Sequence, residues 1–410
     1  MIIEYGHDGG TFCLEGLKSE GFYRNLYEGR DFTKLQPAEI NEGRDCKYNF
    51  VGFLTNNNND MLAVFPKHFR LMDLKKDANL IFRLISERIQ KDALYIGDKP
   101  SVKYESNFPF ASFFTIYDYY LKHGLYYENN QIVREGSEGR VDWKSITKRS
   151  QKVIVDERLI FTPIYYRAKR KYDTLLTECM AYAINYTIDK FGCLLGLPGV
   201  NFASSRQLLE DKEFMLSYLR QEREQAFSDI KANLITSLID FYSTKRIGGD
   251  YVLKFYSFNL IWQDIAIEYL SDHFDGMNEA GEIKLAPPLD TRIPFVKSVF
   301  NVNAFNAGQR IEPDYYYLSN DAQFIFDAKY YTEMTELDYK QLVYTLLLNG
   351  RKGIPEDTTT YSALILPSES RNTRGHFKID SAFNDSVPEI VINEEYLDMR
   401  EVVEYHFIAL

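Results

Sequence analysis

The sequence predicts a multidomain chain of α+β or α/β character. A mixed N-terminal domain is expected over 1–143, and a basic segment leading into a helical middle region over 144–249. A C-terminal domain over 250–410 should hold a central mixed sheet flanked by helices. Three observations predict this. The chain has 410 residues, more than one ordinary core holds. Period-two apolar patterns occur towards both ends, while a 3.6-residue pattern dominates 172–245. The pair Gly248–Gly249 interrupts that helical pattern and marks a boundary.

The elements follow from local chemistry. FVGFLTNNNNDMLAVFPKHF reads as two strands about a polar turn, because the Asn run 56–59 tolerates positive φ. NLIFRLISERIQ (79–90) places Ile81, Leu84, Ile85 and Ile89 at helical spacing. PFASFFTIYDYYLKHGL reads as an aromatic helix closed by Gly124. GRVDW (139–143) reads as a short strand entering the basic segment. From Lys144 to Lys171 there are nine Lys or Arg and two acids, Asp156 and Glu157. Lys148, Arg149, Arg167, Lys169, Arg170 and Lys171 are the candidate DNA-backbone contacts there. The same composition also suits a solvated face.

Composition limits the function classes. The net charge of −11 argues against a uniformly basic surface, but DNA binding needs only a local positive patch. Hydrophobic residues make up 45%, enough for real cores. The 31 Tyr and 29 Phe suit interfaces or nucleic-acid grooves, and biased codon usage would enrich them equally. Cys13, Cys46, Cys179 and Cys193 form no CxxC pair, so reduced buried thiols are expected. The six His form no ligand pair such as HExxH. No signal peptide, apolar membrane-length run or GxxxxGK[ST] phosphate loop is visible. A soluble cytoplasmic protein that binds no nucleotide itself is the expectation.

The chemistry is concentrated after residue 250. In FYSFNLIWQDIAIEYL (255–270), Phe258, Ile261, Trp262, Ile265 and Tyr269 form one helical stripe, with Asp264 and Glu268 four apart beside it. IEPDYYYLSNDAQFIFDAKYY (311–331) reads as a β-hairpin. Alternation puts Phe324, Phe326 and Ala328 on one face of its second strand and Gln323, Ile325, Asp327 and Lys329 on the other. Asp314 heads the first strand, where pairing brings it towards Asp327. Two carboxylates suit Mg²⁺, with Mn²⁺ as a substitute, and the Ala328 carbonyl is a natural extra ligand. A lysine beside them can orient water and offset charge growing on a phosphodiester.

Pro313–Asp314, twelve residues, then Asp327–Ala328–Lys329 resembles the PD-(D/E)XK nuclease motif. The helix TELDYKQLVYTLLLNG (335–350) resembles that of the RecB-like branch, where a Gln and a Tyr follow the DxK strand. Gln341 and Tyr344 are the candidates, although Tyr344 lies three residues after Gln341 and four after Lys340, against the usual Q-x-x-x-Y. YSALILPSE (361–369) supplies the next buried strand. The FVGFL…LAVFPKHF and GRVDWKSITK…FTPIYY stretches are similar to McrC and LlaJI restriction endonucleases. That resemblance implies an upstream metal-binding Glu. Gln263 stands at its position, and Glu268 or Asp264 is the substitute, Glu268 being preferred. It further implies a restriction or anti-phage endonuclease acting on double-stranded DNA with an McrB-like AAA+ GTPase. The N-terminal domain would then recognise DNA or dock the partner. A self-sufficient Type II-like enzyme, a homodimer, or a non-cleaving DNA-binding scaffold are the alternatives.

Overall fold

The computed structural model describes residues 3–56, 58, 60–94, 103–202, 206–244, 250–288, 292–355, 357–380, 382 and 390–408. It is a mixed α/β structure with several sheets, divided into two compact units. One unit comprises 1–108, 193–195 and 246–410, and the other 109–192 and 196–245. Gly248 and Gly249 lie outside the described residues.

In the first unit, one five-stranded sheet has the order Ile3–His7, Met61–Phe65, Val51–Thr55, Val252–Phe255, Tyr104–Ser106. The strands Val51–Thr55 and Met61–Phe65 pair antiparallel, as the apolar runs about the Asn tract predict. Asn56 closes the turn by accepting through Oδ1 from the Asn58 and Asp60 amides at 2.9 and 3.0 Å. Asn57 and Asn59 lie outside the described residues. Val252–Phe255, from after the candidate boundary, pairs with Val51–Thr55 at the register Lys254↔Gly52. A Cβ on Gly52 would stand 2.0 Å from the Leu253 carbonyl oxygen, so this close approach requires glycine.

The second five-stranded sheet of this unit has the order Tyr315–Leu318, Ala322–Ala328, Thr359–Ser368, Val391–Asp398, Asn372–Lys378. The first pair is the expected hairpin, antiparallel. The next two pairings are parallel and the last is antiparallel, so the sheet is mixed. Alternation along Ala322–Ala328 holds. Phe324 and Phe326 pack on Phe274 and Phe295. On the other face Ile325 packs with Tyr344 and Leu348 of the helix Tyr339–Leu348. The expected stripe of helix Phe258–His273 is buried throughout. Its Trp262 is fully buried and donates Nε1–H to the Ile365 carbonyl at 3.2 Å, tying the helix to the sheet.

Ile81, Leu84, Ile85 and Ile89 are buried in the helix Leu74–Leu94. In the second unit, the aromatic helix is Phe110–His123, and Gly124 ends it with φ +75°. The basic stretch is largely β-structured: a helix Trp143–Arg149 capped by Asp142, a hairpin Gln151–Val155 with Arg158–Thr162, and a strand Tyr165–Tyr172. Helices Leu175–Leu195, Lys212–Glu224 and Asp229–Thr244 follow, as the 3.6 pattern predicts. Among the described residues, no helix is long and apolar enough to cross a membrane.

Trp262→Ala should cost about 3–5 kcal/mol, chiefly from the emptied volume, since the Ile365 carbonyl keeps the Lys329 amide as a donor at 2.9 Å. Urea denaturation checks this as a lowered midpoint with an unchanged slope.

Candidate active site

The hairpin register sets the site. Tyr315 pairs with Phe326, so one step further Asp314 faces Asp327 across the strands. Asp314 is buried and Asp327 almost completely so. The two carboxyls lie within hydrogen-bonding reach of each other. Burial first, and the Asp327 charge second, push the Asp314 carboxyl up to about 6. The Ala328 amide donates to Asp314 Oδ2 at 3.2 Å and partly offsets this.

Two lysines divide Asp327 between them. Lys329 Nζ lies 2.8 Å from Oδ2, and Lys340 Nζ lies 3.0 Å from Oδ1. Lys329 is also held by Asp338 at 2.7 Å. Burial alone would lower the Lys329 ammonium, but Asp327 and Asp338 outweigh it and raise its pKa. Lys340 is raised in the same way, burial opposing and Asp327 prevailing. Asp338 also caps the helix Tyr339–Leu348, accepting from the Gln341 amide at 2.7 Å. Its own amide donates to His376 Nε2 at 3.0 Å, and His376 Nδ1 bonds Glu394 at 2.8 Å.

Asp314, Asp327, Ala328, Lys329 and Lys340 open on one cavity of about 550 Å³. Gln263 lines it too, and the Gln263 main-chain carbonyl accepts from Tyr315 Oη at 2.7 Å. The donor set fits a hard divalent cation. Two adjacent carboxylates, a carbonyl-bearing strand end and a neutral amide face a polar cavity with room for water, and Mg²⁺ is commonly bound by one or two carboxylates plus water and phosphate. Among the described residues, no third His, Cys, Asp or Glu joins the pair.

The remaining candidates lie elsewhere. Glu268 is not on the cavity wall. It accepts from His406 Nδ1 at 2.6 Å, while Asp264 pairs with Arg88. Gln341 is fully buried and donates to the Ile325 carbonyl and Ser362 Oγ at 2.6 and 2.7 Å. Tyr344 Oη donates to the Glu312 carbonyl at 3.1 Å. Both fasten the helix to the hairpin, and Lys340 is the residue of this helix that reaches the carboxylates. Sequence reasoning missed it because Gln341 matched a motif letter. The signal was its place four residues before Tyr344. Lys148, Arg149, Arg167, Lys169, Arg170 and Lys171 are exposed in the other unit. Arg167 is already paired with Asp142 at 2.8 Å.

Two buried carboxylates and two lysines thus meet at one polar cavity beside a mixed sheet, and comparison with known proteins supplies the class, a restriction endonuclease. A family model described as LlaJI restriction endonuclease matches residues 50–345, and the chain belongs to that family. It is therefore a nuclease of a restriction system. A chain in the half-complex of Thermococcus gammatolerans McrB AAA+ hexamers with bound McrC is similar at 12% identity, over 98% of this chain and 95% of that one, with a TM-score of 0.36. No curated protein matches the sequence.

The His406 contacts make stability pH-dependent. Burial would lower the imidazole, but Glu268 and Glu87 raise it to about 9. Its folded pKa exceeds the unfolded value of about 6.5, so the stabilisation is complete below about pH 6.5 and lost as pH rises through 9. Unfolding free energy should fall by up to about 3 kcal/mol across that window. In His406→Gln the fall should flatten; an unchanged pH profile in that variant would refute the assignment.

Proposed function

We propose that the chain is a Mg²⁺-dependent DNA endonuclease of the PD-(D/E)XK kind, with Asp314, Asp327 and Lys329 at its catalytic centre. We further propose that it is the McrC-like cleavage subunit of a system driven by a separate AAA+ GTPase. The observation that carries the nuclease reading is the meeting of two buried carboxylates and two ammonium groups at one polar cavity. A mixed sheet bearing the D-x-K strand next to a hairpin partner supports the fold assignment. The partner rests on the McrC-like sequence phrases and on the lack of a phosphate loop in the sequence.

In this reading Asp314 and Asp327 hold the cation, with the Ala328 carbonyl and Gln263 amide as neutral donors. Bound Mg²⁺ or Mn²⁺ supplies an acidified water and neutralises the phosphate. Lys329 is fixed between Asp327 and Asp338, so its ammonium is already aimed and needs little reorganisation to orient the attacking water. Lys340 is about half exposed and flexible enough to leave Asp327 for a phosphate oxygen. The exposed basic residues Lys148, Arg149, Arg167, Lys169, Arg170 and Lys171 act as backbone contacts to duplex DNA.

Purified chain should cleave duplex DNA with Mg²⁺ once GTP and the AAA+ protein are added, and a chelator should stop it. Asp327→Ala should abolish cleavage while DNA binding persists, and Lys340→Ala should slow it about 10²-fold. Cleavage with Mg²⁺ alone would mark a self-sufficient enzyme. Undiminished cleavage by Asp327→Ala would overturn the catalytic assignment.

A further inference from the structure

The cavity has a second charged wall that the Asp314–Asp327 chemistry does not use. It comes from the turn Pro66–Phe69, directly after the strand Met61–Phe65 of the N-terminal sheet. The turn closes through the Phe69 amide donating to the Pro66 carbonyl at 3.2 Å. His68 adopts φ +60°, a left-handed conformation that a non-glycine residue holds only when its surroundings enforce it.

Those surroundings are the run-out of the D-x-K strand. The Lys67 amide donates to Tyr330 Oη at 2.9 Å. His68 Nε2 lies 3.1 Å from the Thr332 carbonyl, and His7 Nε2 lies 2.9 Å from the Phe69 carbonyl. Lys67 is thereby fixed on the same cavity as Asp327 and Lys329.

Its ammonium is the odd one of the site. Lys329 and Lys340 each contact a carboxylate. Among the described residues, Lys67 Nζ donates to the Tyr330 carbonyl alone, at 3.3 Å, and sits 4.9 Å from the Tyr330 ring centre. Among the described residues, no carboxylate lies within 4 Å of it. Asp8 shares this wall; burial raises its carboxyl, opposed by the charge of Lys67 and by the Tyr330 hydrogen bond, but it makes no ion-pair contact with Lys67. Burial lowers the Lys67 ammonium by more than the nearby Asp8 charge raises it. An ammonium has three N–H donors, so capacity remains for an anion entering the cavity.

We propose that Lys67 forms a subsite for a backbone phosphate of the bound DNA strand, beside the phosphodiester presented to Asp314 and Asp327. This rests on the nuclease reading and assigns part of substrate positioning to the N-terminal sheet. The contact is to phosphate, so it carries no base preference.

The test is duplex-DNA binding by the full chain, followed by fluorescence anisotropy over a salt series, together with cleavage kinetics. Lys67→Gln and Lys67→Met should bind about tenfold more weakly, with the slope of log K against log salt reduced by about one. KM should rise while kcat stays within about twofold. Lys67→Arg should restore the slope. Thermal melting identifies any variant that has lost its fold, and the Arg variant then decides through its own slope. A wild-type slope in the folded Gln and Met variants overturns the subsite while leaving the nuclease reading intact. Failure of the wild-type chain to bind or cleave DNA under the conditions of the preceding section overturns the nuclease reading, and this inference with it.

Discussion

Asp314 and Asp327 repel each other, and the rest of this unit is arranged around that repulsion. Two carboxylates facing each other across a hairpin, both removed from water, cannot both carry charge without compensation. The structure compensates Asp327 twice, with one lysine on each oxygen. Asp314 has the Ala328 amide, the more distant charge of Lys340 and Lys297 at 3.9 Å, and burial together with the Asp327 charge outweighs them and raises its carboxyl. The charge imbalance therefore falls on Asp314, the carboxylate at the start of its strand. A divalent cation between the two would relieve both.

The compensating charges are themselves positioned. Lys329 comes from the strand that carries Asp327, and alternation alone puts the two on one face. Lys340 comes from a helix whose placement depends on buried polar contacts, Gln341 with Ile325 and Ser362, and Tyr344 with Glu312. Asp338 joins the two systems, since its side chain holds Lys329 while capping the same helix. His376, fixed by Glu394 on the neighbouring strand, holds the Asp338 amide. The aim of Lys329 thus traces back through Asp338 to the far side of the sheet.

Local periodicity made the hairpin and its two faces legible, because side-chain direction in a strand depends only on position. The helical stripe Phe258–Tyr269 was legible for the same reason. What stayed hidden depended on tertiary partners. Glu268 sits on a helix face, as spacing predicted, but its partner His406 is 138 residues away and claims it. Lys340 reaches Asp327 only through the packing of its helix on the hairpin. Lys67 lies in the LAVFPKHF stretch, but nothing local there or around Asp8 points to the C-terminal carboxylates. Only the pairing of Val252–Phe255 with Val51–Thr55, and the docking of the Pro66–Phe69 turn on Tyr330, bring that region to the cavity.

This last connection constrains how the site can be divided. Lys254, within Val252–Phe255, is fully buried, and its ammonium is 2.6 Å from Asp31 Oδ2, itself fully buried. Separating the two segments would break this buried pair, and removing either partner alone would cost about 3–5 kcal/mol by leaving the other buried and unpaired. It would also remove Asn49, Phe50 and Lys67 from the cavity wall and the acceptor of the Lys67 amide from the turn. The carboxylate pair belongs to the C-terminal sheet, but the cavity it faces is also lined by Asp8, Asn49, Phe50 and Lys67 of the N-terminal region. On the proposed nuclease reading, a DNA strand entering that cavity would meet the N-terminal sheet and the D-x-K strand together.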